Sequence, residues 1–494
     1  MMQTNRFFFS LLILIILATP NFGQTIKDAN CFSMLAGREV SLDGSVMIAH
    51  NEDDWGDLYV DWHKVPRIQH EKGSMLTIEK GGQLAQVDET YSFFWMQMPG
   101  MQFSDSYMNE WGLTIASNQC RSREDQPDLT DGGIGFYLRR IMTERAKTAR
   151  EAVEIGGQLV EKFGYHYSGR TYLVADSKEA WMMSVVQGKH WIAQRVPDDH
   201  IAIIPNYYTI QEIDLTDTAN FLGSKDIITY AIKRGWFKTD TGERFNFRKI
   251  YGDPETLHGI WNIPRHMAAI NHFSESAYNY YDNFPFSFQP KSKISHVDIM
   301  EIMGTHGEGT QFEISPNYNL GNPHDTEIKR VCSGGNQYGF VAQLRDNGLP
   351  APIAHVMWLA PKRPCIQAFT PWYVGITEIP ENFSRDNPRT CLAKHFKEED
   401  LKSKTAGKAY WRFKEFADSC DKNYTVLSTP MKTFKATFQK SILQQQPVFE
   451  EVFVQAYNTD EEKALQILNN YVGGLALKIL EHTEKSLKGI QPEN

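Results

Sequence analysis

The chain has 494 residues, a net charge of −9 and dispersed basic residues, which leaves no electrostatic footprint for nucleic acid. Apolar residues at 41% exclude a disordered chain, and six cysteines are too few to form a disulfide scaffold of this length. At the N-terminus, Arg6 precedes the apolar run from Phe7 to Ala18, followed by Pro20 and Gly23. That run is too short to span a bilayer comfortably, so residues 1–23 read as a secretory signal cut near Gly23-Gln24. No later segment approaches 18 continuous apolar residues, and the mature chain is expected to be secreted or periplasmic, without stable membrane insertion.

Next come strand-like Phe32 to Ala36 and Val46 to Ala49, with Asp43-Gly44 as the turn of a hairpin. Ile134 to Gly164 has helical spacing, and Thr148-Ala-Arg-Glu151 has the capping-box pattern that opens a second helix there. Further strands fall at Tyr172–Ala175, Trp181–Val186, His190–Arg195 and Ile201–Ile204, with Gln187-Gly-Lys189 a tight turn that makes consecutive strands antiparallel. Residues 205–330 are polar and aromatic and show no clear period. Tyr338–Leu344 and Ile353–Trp358 are strand-like, and the tail from Thr459 to Leu480 is a capped amphipathic helix. Strands, helices and strands again, with antiparallel turns, imply layered sheets covered by helices.

Chemistry concentrates near the first hairpin. If the Asn30–Cys31 bond were cut, Cys31 would gain an α-amine of pKa about 7.7–8.0 beside a thiol of about 8.5. One residue would then supply both nucleophile and base. The second strand leads into His50-Asn-Glu-Asp-Asp54, whose carboxylates could hold such an ammonium. His50, Asp53, Asp54 and Asp57 are metal-ligand types, but without EF-hand or zincin spacing. No cysteine has CxxC spacing, so neither a structural zinc nor another cofactor is expected. Of the five remaining cysteines, Cys391 and Cys420 form the first candidate disulfide, and Cys332 is assigned to packing or pairing.

Cys31 with Asp43-Gly-Ser45, Met47-Ile-Ala49 and Asn51-Glu-Asp53 resembles the mature start of bacterial cysteine dipeptidases of the dipeptidase A and secernin group. These are N-terminal-nucleophile hydrolases, kin of bile salt hydrolases and penicillin V acylases. The resemblance continues at Asn109–Ala116, Glu179–Trp181, His190–Asp199, Arg330–Gly334, Phe340–Arg345 and Pro371–Ile376. It implies an α+β fold, an αββα sandwich of two antiparallel sheets, with a catalytic domain at 31–376 and a mainly helical extension at 377–494. It also implies a propeptide at 24–30, removed by Cys31 itself, and dipeptides with a free N-terminus as substrates. By the same resemblance Cys31 matches the nucleophile and Asp53 its amine partner, with Asp54 as a one-register alternative. Asn118 matches an oxyanion asparagine, with Gln119 as its alternative register. Asn206 matches a second polar residue near amine and oxyanion, and Arg265 an arginine supporting the thiolate. His50 stands where the family usually carries arginine, and Ser184 where many relatives carry an acid. His50 and Asp54 are therefore assigned to substrate binding. The rival readings are an acyl-amino-acid amidase on the same fold, an inactive secreted binding protein, and a papain-like protease with a histidine base. Homo-oligomerisation is left open.

Overall fold

The first hairpin explains itself locally. Asp43 Oδ1 accepts from the Ser45 N–H at 3.1 Å and from the hydroxyls of Ser41 and Ser45 at 2.5 and 2.6 Å. Gly44 at φ +78° takes the left-handed position of that turn. This joins β1 (Phe32–Ala36) to β2 (Val46–Asp53) in antiparallel register, with Ser33 opposite His50. β2 runs four residues past the apolar segment, because its polar end is itself a ladder strand: His50 pairs with Phe340 and Asp53 with Asn336. The computed structural model describes residues 31–54, 58–313, 322–324, 328–397 and 405–490. The expected signal and propeptide, residues 1–30, lie outside them, as does Asp57.

In chain order the remaining principal strands are β3 (Asp61–Val65), β4 (Phe93–Gln97), β5 (Ser106–Asn109), β6 (Thr114–Gln119), β7 (Tyr165–Ala175), β8 (Ala180–Gly188), β9 (Trp191–Val196), β10 (Ile201–Ile204), β11 (Phe221–Gly223), β12 (Asn336–Leu344), β13 (His355–Pro361) and β14 (Thr370–Tyr373). Among the described residues one sheet has the order β10-β1-β2-β12-β13-β14, and the other β11-β9-β8-β7-β6-β5-β4-β3. Every pairing in both is antiparallel. The sheets face each other where β1 meets β6 and β7, and β2 meets β7, across the core. Helices α1 (Tyr137–Arg145) and α2 (Ala149–Phe163) cover the outer face of the larger sheet. Helices α3 (Ile263–Phe273) and α4 (His296–Met303) cover the smaller one. The result is a four-layer αββα sandwich.

Two expectations need correction. Ile201–Ile204 does not continue the antiparallel run of β7 to β9; it crosses to the other sheet and pairs with β1. Cys391 and Cys420 do not pair: all six cysteines are free thiols. Cys391 packs with Val65, Phe93, Trp95 and Tyr107, whereas Cys420 packs with Cys332, Cys365 and Phe416.

Beyond β14, helices α5 (Ala409–Lys422), α6 (Tyr424–Tyr457) and α7 (Glu461–Ile490) form the helical region. α6 carries Pro430 and Pro447 inside it, and such residues normally end a helix because they lack an N–H and clash with the preceding turn. Tertiary contacts hold it. Glu450 accepts from Tyr373 at 2.8 Å and pairs with Arg345 at 2.9 Å. Gln439 bonds both the N–H and the carbonyl of Phe369.

Candidate active site

Cys31 immediately precedes β1 and is 6% exposed. Its thiol donates to Glu52 Oε1 at 3.3 Å and lies 3.9 Å from the Asp53 carbonyl. Burial, then the nearby Glu52 and Asp54 charges, push this thiol well above its ordinary range. The Cys31 carbonyl is clamped from two sides, by Arg265 Nη1 at 2.6 Å and Asn118 Nδ2 at 3.1 Å.

Arg265 sits in the first turn of α3, just after Asn262 and Pro264. The guanidinium is fully buried. Its Nε donates to the Trp261 carbonyl, and Nη2 donates to Asn206 Oδ1 and Asn262 Oδ1, both at 3.0 Å. One fork thus ties the nucleophile candidate to two asparagines. Asn206, just beyond β10, gives its own Nδ2 to the Gln119 carbonyl at 3.1 Å. Asn118 Nδ2 also reaches the Ile204 and Pro205 carbonyls. The Asn118 amide is therefore spent on main-chain carbonyls, and its service to an oxyanion requires one of those bonds to be exchanged. Asn206, by contrast, commits one of its two amide hydrogens to Gln119. Gln119 contributes only its backbone to this group; its side chain turns to Ser168.

The hydrogen-bond chain beneath the thiol fixes the position of one proton. Asn118 donates through Nδ2, so its Oδ1 accepts the Ser33 hydroxyl at 2.6 Å. Ser33, having given its proton, accepts from His50 Nδ1 at 2.7 Å. A neutral His50 then presents a bare Nε2 to Glu52 Oε2 at 2.8 Å, and Glu52 must be the donor. The charge environment agrees. Burial first, then Arg139 and Arg170, lower His50 to about 3. Burial raises Glu52 to about 7, against the pull of Arg139 and Arg170. Those two arginines, from α1 and β7, converge on the Ser117 hydroxyl at 2.8 and 2.9 Å.

His50 is thus not placed to bind substrate. It is wholly buried with both ring nitrogens engaged, and the positive charges of Arg139 and Arg170 lie close enough to disfavour its protonation. Asp54 is equally buried: Ser104 donates to its Oδ2, while its Oδ1 has no partner. Asp53 accepts the Ser333 hydroxyl on Oδ2, and its Oδ1 is also unpartnered. Gly335 makes this possible, since a Cβ there would fall 1.9 Å from Asp53 Oδ1. Burial raises the Asp53 carboxyl, and Ser333, Arg265 and Arg363 oppose that rise.

Cys31, Asp53, Asn118, Asn206 and Arg265 are therefore gathered at one end of the two sheets. Glu52, Ser33, Ser333, Arg139 and Arg170 join them without having been singled out. Arg139, on α1, and Arg170, on β7, carry no sequence motif that would mark them.

The model of Peptidase family C69 matches residues 30–437. The chain belongs to peptidase family C69. This member is similar to Dipeptidase A of Lactobacillus helveticus, at 26% identity over 85% of this chain and 87% of that one. It is similar also to a probable dipeptidase of Latilactobacillus sakei, at 23% identity over 81% and 82%. A mutant conjugated bile acid hydrolase from Clostridium perfringens shares 8% identity over 67% of this chain and 89% of that one, with a TM-score of 0.29. As a C69 member the protein is a cysteine-type peptidase, and a buried thiol in a network of carboxylates and amides offers the parts that acyl transfer needs.

Proposed function

We propose that this C69 peptidase is a secreted dipeptidase that uses Cys31 as an N-terminal nucleophile after cutting its own Asn30–Cys31 bond. The observation that carries the reading is the Cys31 environment: thiol on Glu52, carbonyl clamped by Arg265 and Asn118, and Asp53 alongside with one unpartnered oxygen. In the first step the Cys31 sulfur attacks the Asn30 carbonyl, and the Cys31 nitrogen leaves as an amine. Water then cleaves the resulting thioester, releasing the segment that ends at Asn30. The freed amine is the base that the buried thiol otherwise lacks, and Asp53 is the carboxylate offered to its ammonium form.

In the second step the thiolate attacks the substrate carbonyl and the α-amine passes the thiol proton to the departing amine. Water attacks the thioester with the same amine as base, returning the free thiol. Asn206 through its second amide hydrogen, or Asn118 once it releases a main-chain carbonyl, supplies the oxyanion donor; one such donor is typically worth about 10²–10³ in turnover. The names of the relatives support dipeptides as substrates, and the apolar run from Phe7 to Ala18 supports export.

The test joins N-terminal sequencing with a substrate panel. Wild-type protein should begin at Cys31 and hydrolyse free dipeptides but not their N-acetylated forms or acyl-amino acids. Cys31→Ala should retain the peptide bond after Asn30 and be inactive. An active wild-type enzyme with Cys31 internal to the chain would overturn the scheme.

A further inference from the structure

Away from Cys31, four buried side chains converge: His306, His324, Cys332 and Cys365, with all four ligand-type atoms within 4.8 Å of one another. We infer that they form a structural Cys2His2 zinc site. The spacing of the four atoms is that of a metal's coordination shell. A zinc tetrahedron with the usual bond lengths has edges of about 3.3 Å between nitrogens, about 3.6 Å between nitrogen and sulfur, and about 3.8 Å between sulfurs. Here His306 Nε2 and His324 Nε2 are 3.0 Å apart, and His324 Nε2 is 3.5 Å from Cys365 Sγ and 3.8 Å from Cys332 Sγ.

The tautomers of the two histidines agree with those distances. His306 Nδ1 faces Glu308 Oε1 at 3.1 Å, and His324 Nδ1 faces Asp421 Oδ1 at 2.7 Å. A carboxylate on each Nδ1 keeps the proton there, so both Nε2 lone pairs point at each other. Two lone pairs at 3.0 Å repel unless a proton or a metal ion lies between them. The two thiol sulfurs at 3.5 and 3.8 Å from His324 Nε2 complete the shell of a metal ion, which a shared proton would not need. The carboxylate behind each histidine is the usual support of a metal-bound imidazole, and Arg363 holds Asp421 from the other side at 2.8 Å. Two thiols and two imidazoles in a closed tetrahedron select zinc over the harder divalent ions. Binding deprotonates both cysteines and releases their two protons to solvent. A cavity of about 860 Å³ has Cys365 and Glu308 in its wall and gives the ion a way in.

The spacing rules of short zinc motifs miss this site because its ligands come from well-separated segments. Its placement gives it a purpose. It binds the connection that follows α4 to the turn after β13, and through Asp421 to helix α5. The residue after Cys332 is Ser333, which donates to Asp53. The ion therefore braces the wall of the candidate active site without entering it.

The test is elemental analysis of the full processed protein after dialysis against metal-free buffer. About one zinc per chain is expected, unchanged in Cys31→Ala and lost in a Cys332→Ser/Cys365→Ser double variant. Cobalt exchanged for zinc should show the visible bands of a tetrahedral thiolate site. Because the double variant is at risk of misfolding, Asp421→Asn provides a second measure: it should fold and bind zinc about 10–100-fold more weakly. A metal-free wild-type chain whose intact mass is two hydrogens short, marking a Cys332–Cys365 disulfide, would overturn the site. So would zinc that disappears in Cys31→Ala, or free cysteines with no metal bound.

Discussion

The proton assigned to Glu52 makes a quantitative claim. In the folded protein its carboxyl rises from 4.5 to about 7, so between those values the native state holds a proton that the unfolded chain has released. Stability must then fall as pH rises through this window. At 1.36 kcal/mol per pH unit the full cost is about 3 kcal/mol. Glu52→Gln keeps the shape and the donor toward His50 Nε2 but cannot ionise, so it should abolish that loss. Both proteins are compared on a Cys31→Ala background, which holds their covalent state constant. The thiol hydrogen bond favours the ionised carboxylate, so its removal only raises Glu52 further. For a chain this long about 1 °C in Tm corresponds to roughly 1 kcal/mol. Thermal unfolding at pH 5 and pH 8.5 should therefore show the glutamine variant gaining about 3 °C on its parent at the higher pH relative to the lower. Parallel pH profiles would refute the reasoning, because Glu52 would then be ionised in the native protein with the proton on His50.

Two further substitutions probe the surroundings of Asp53. Ser333→Ala removes a hydrogen bond that favours the Asp53 carboxylate, so the acid limb of the pH–activity profile should move to higher pH; an unchanged limb would detach Asp53 from catalysis. Gly335→Ala drives a Cβ to 1.9 Å from Asp53 Oδ1 and 2.8 Å from the Asp54 carbonyl. It should cost about 1–3 kcal/mol by overpacking and slow the Asn30–Cys31 cut, measured by mass spectrometry of the purified chain; normal processing with normal stability would show that Asp53 need not stay where it is.

The parts legible in the sequence were those with a local signature. β1 and β10 follow their apolar runs residue for residue, and Thr148 caps α2 by accepting from Glu151 N–H. Cys31, Asp53, Asn118, Asn206 and Arg265 were reached through motif resemblance, and the structure brings them together. Glu52 lay inside a quoted motif yet carried no role, because its burial depends on β12 pairing with the polar end of β2 from far along the chain. Arg139 and Arg170 have no motif at all; only their core-facing positions make them unusual. Helix α6 was hidden by Pro430 and Pro447, whose local cost is met by Gln439 and Glu450 reaching the sheet. His306 and Cys365 are adjacent only in three dimensions.

β1 lies in the interior of its sheet, with β10 on one side and β2, itself backed by β12, on the other. The Cys31 carbonyl is held by residues from β6 and α3. A half-folded chain cannot assemble this pocket, since no two neighbouring segments supply it. If Cys31 cuts its own preceding bond, the cut is a record of completed folding, written irreversibly into each molecule. The fraction of chains beginning at Cys31 then counts successful folding events in a culture, even after those molecules have later been denatured.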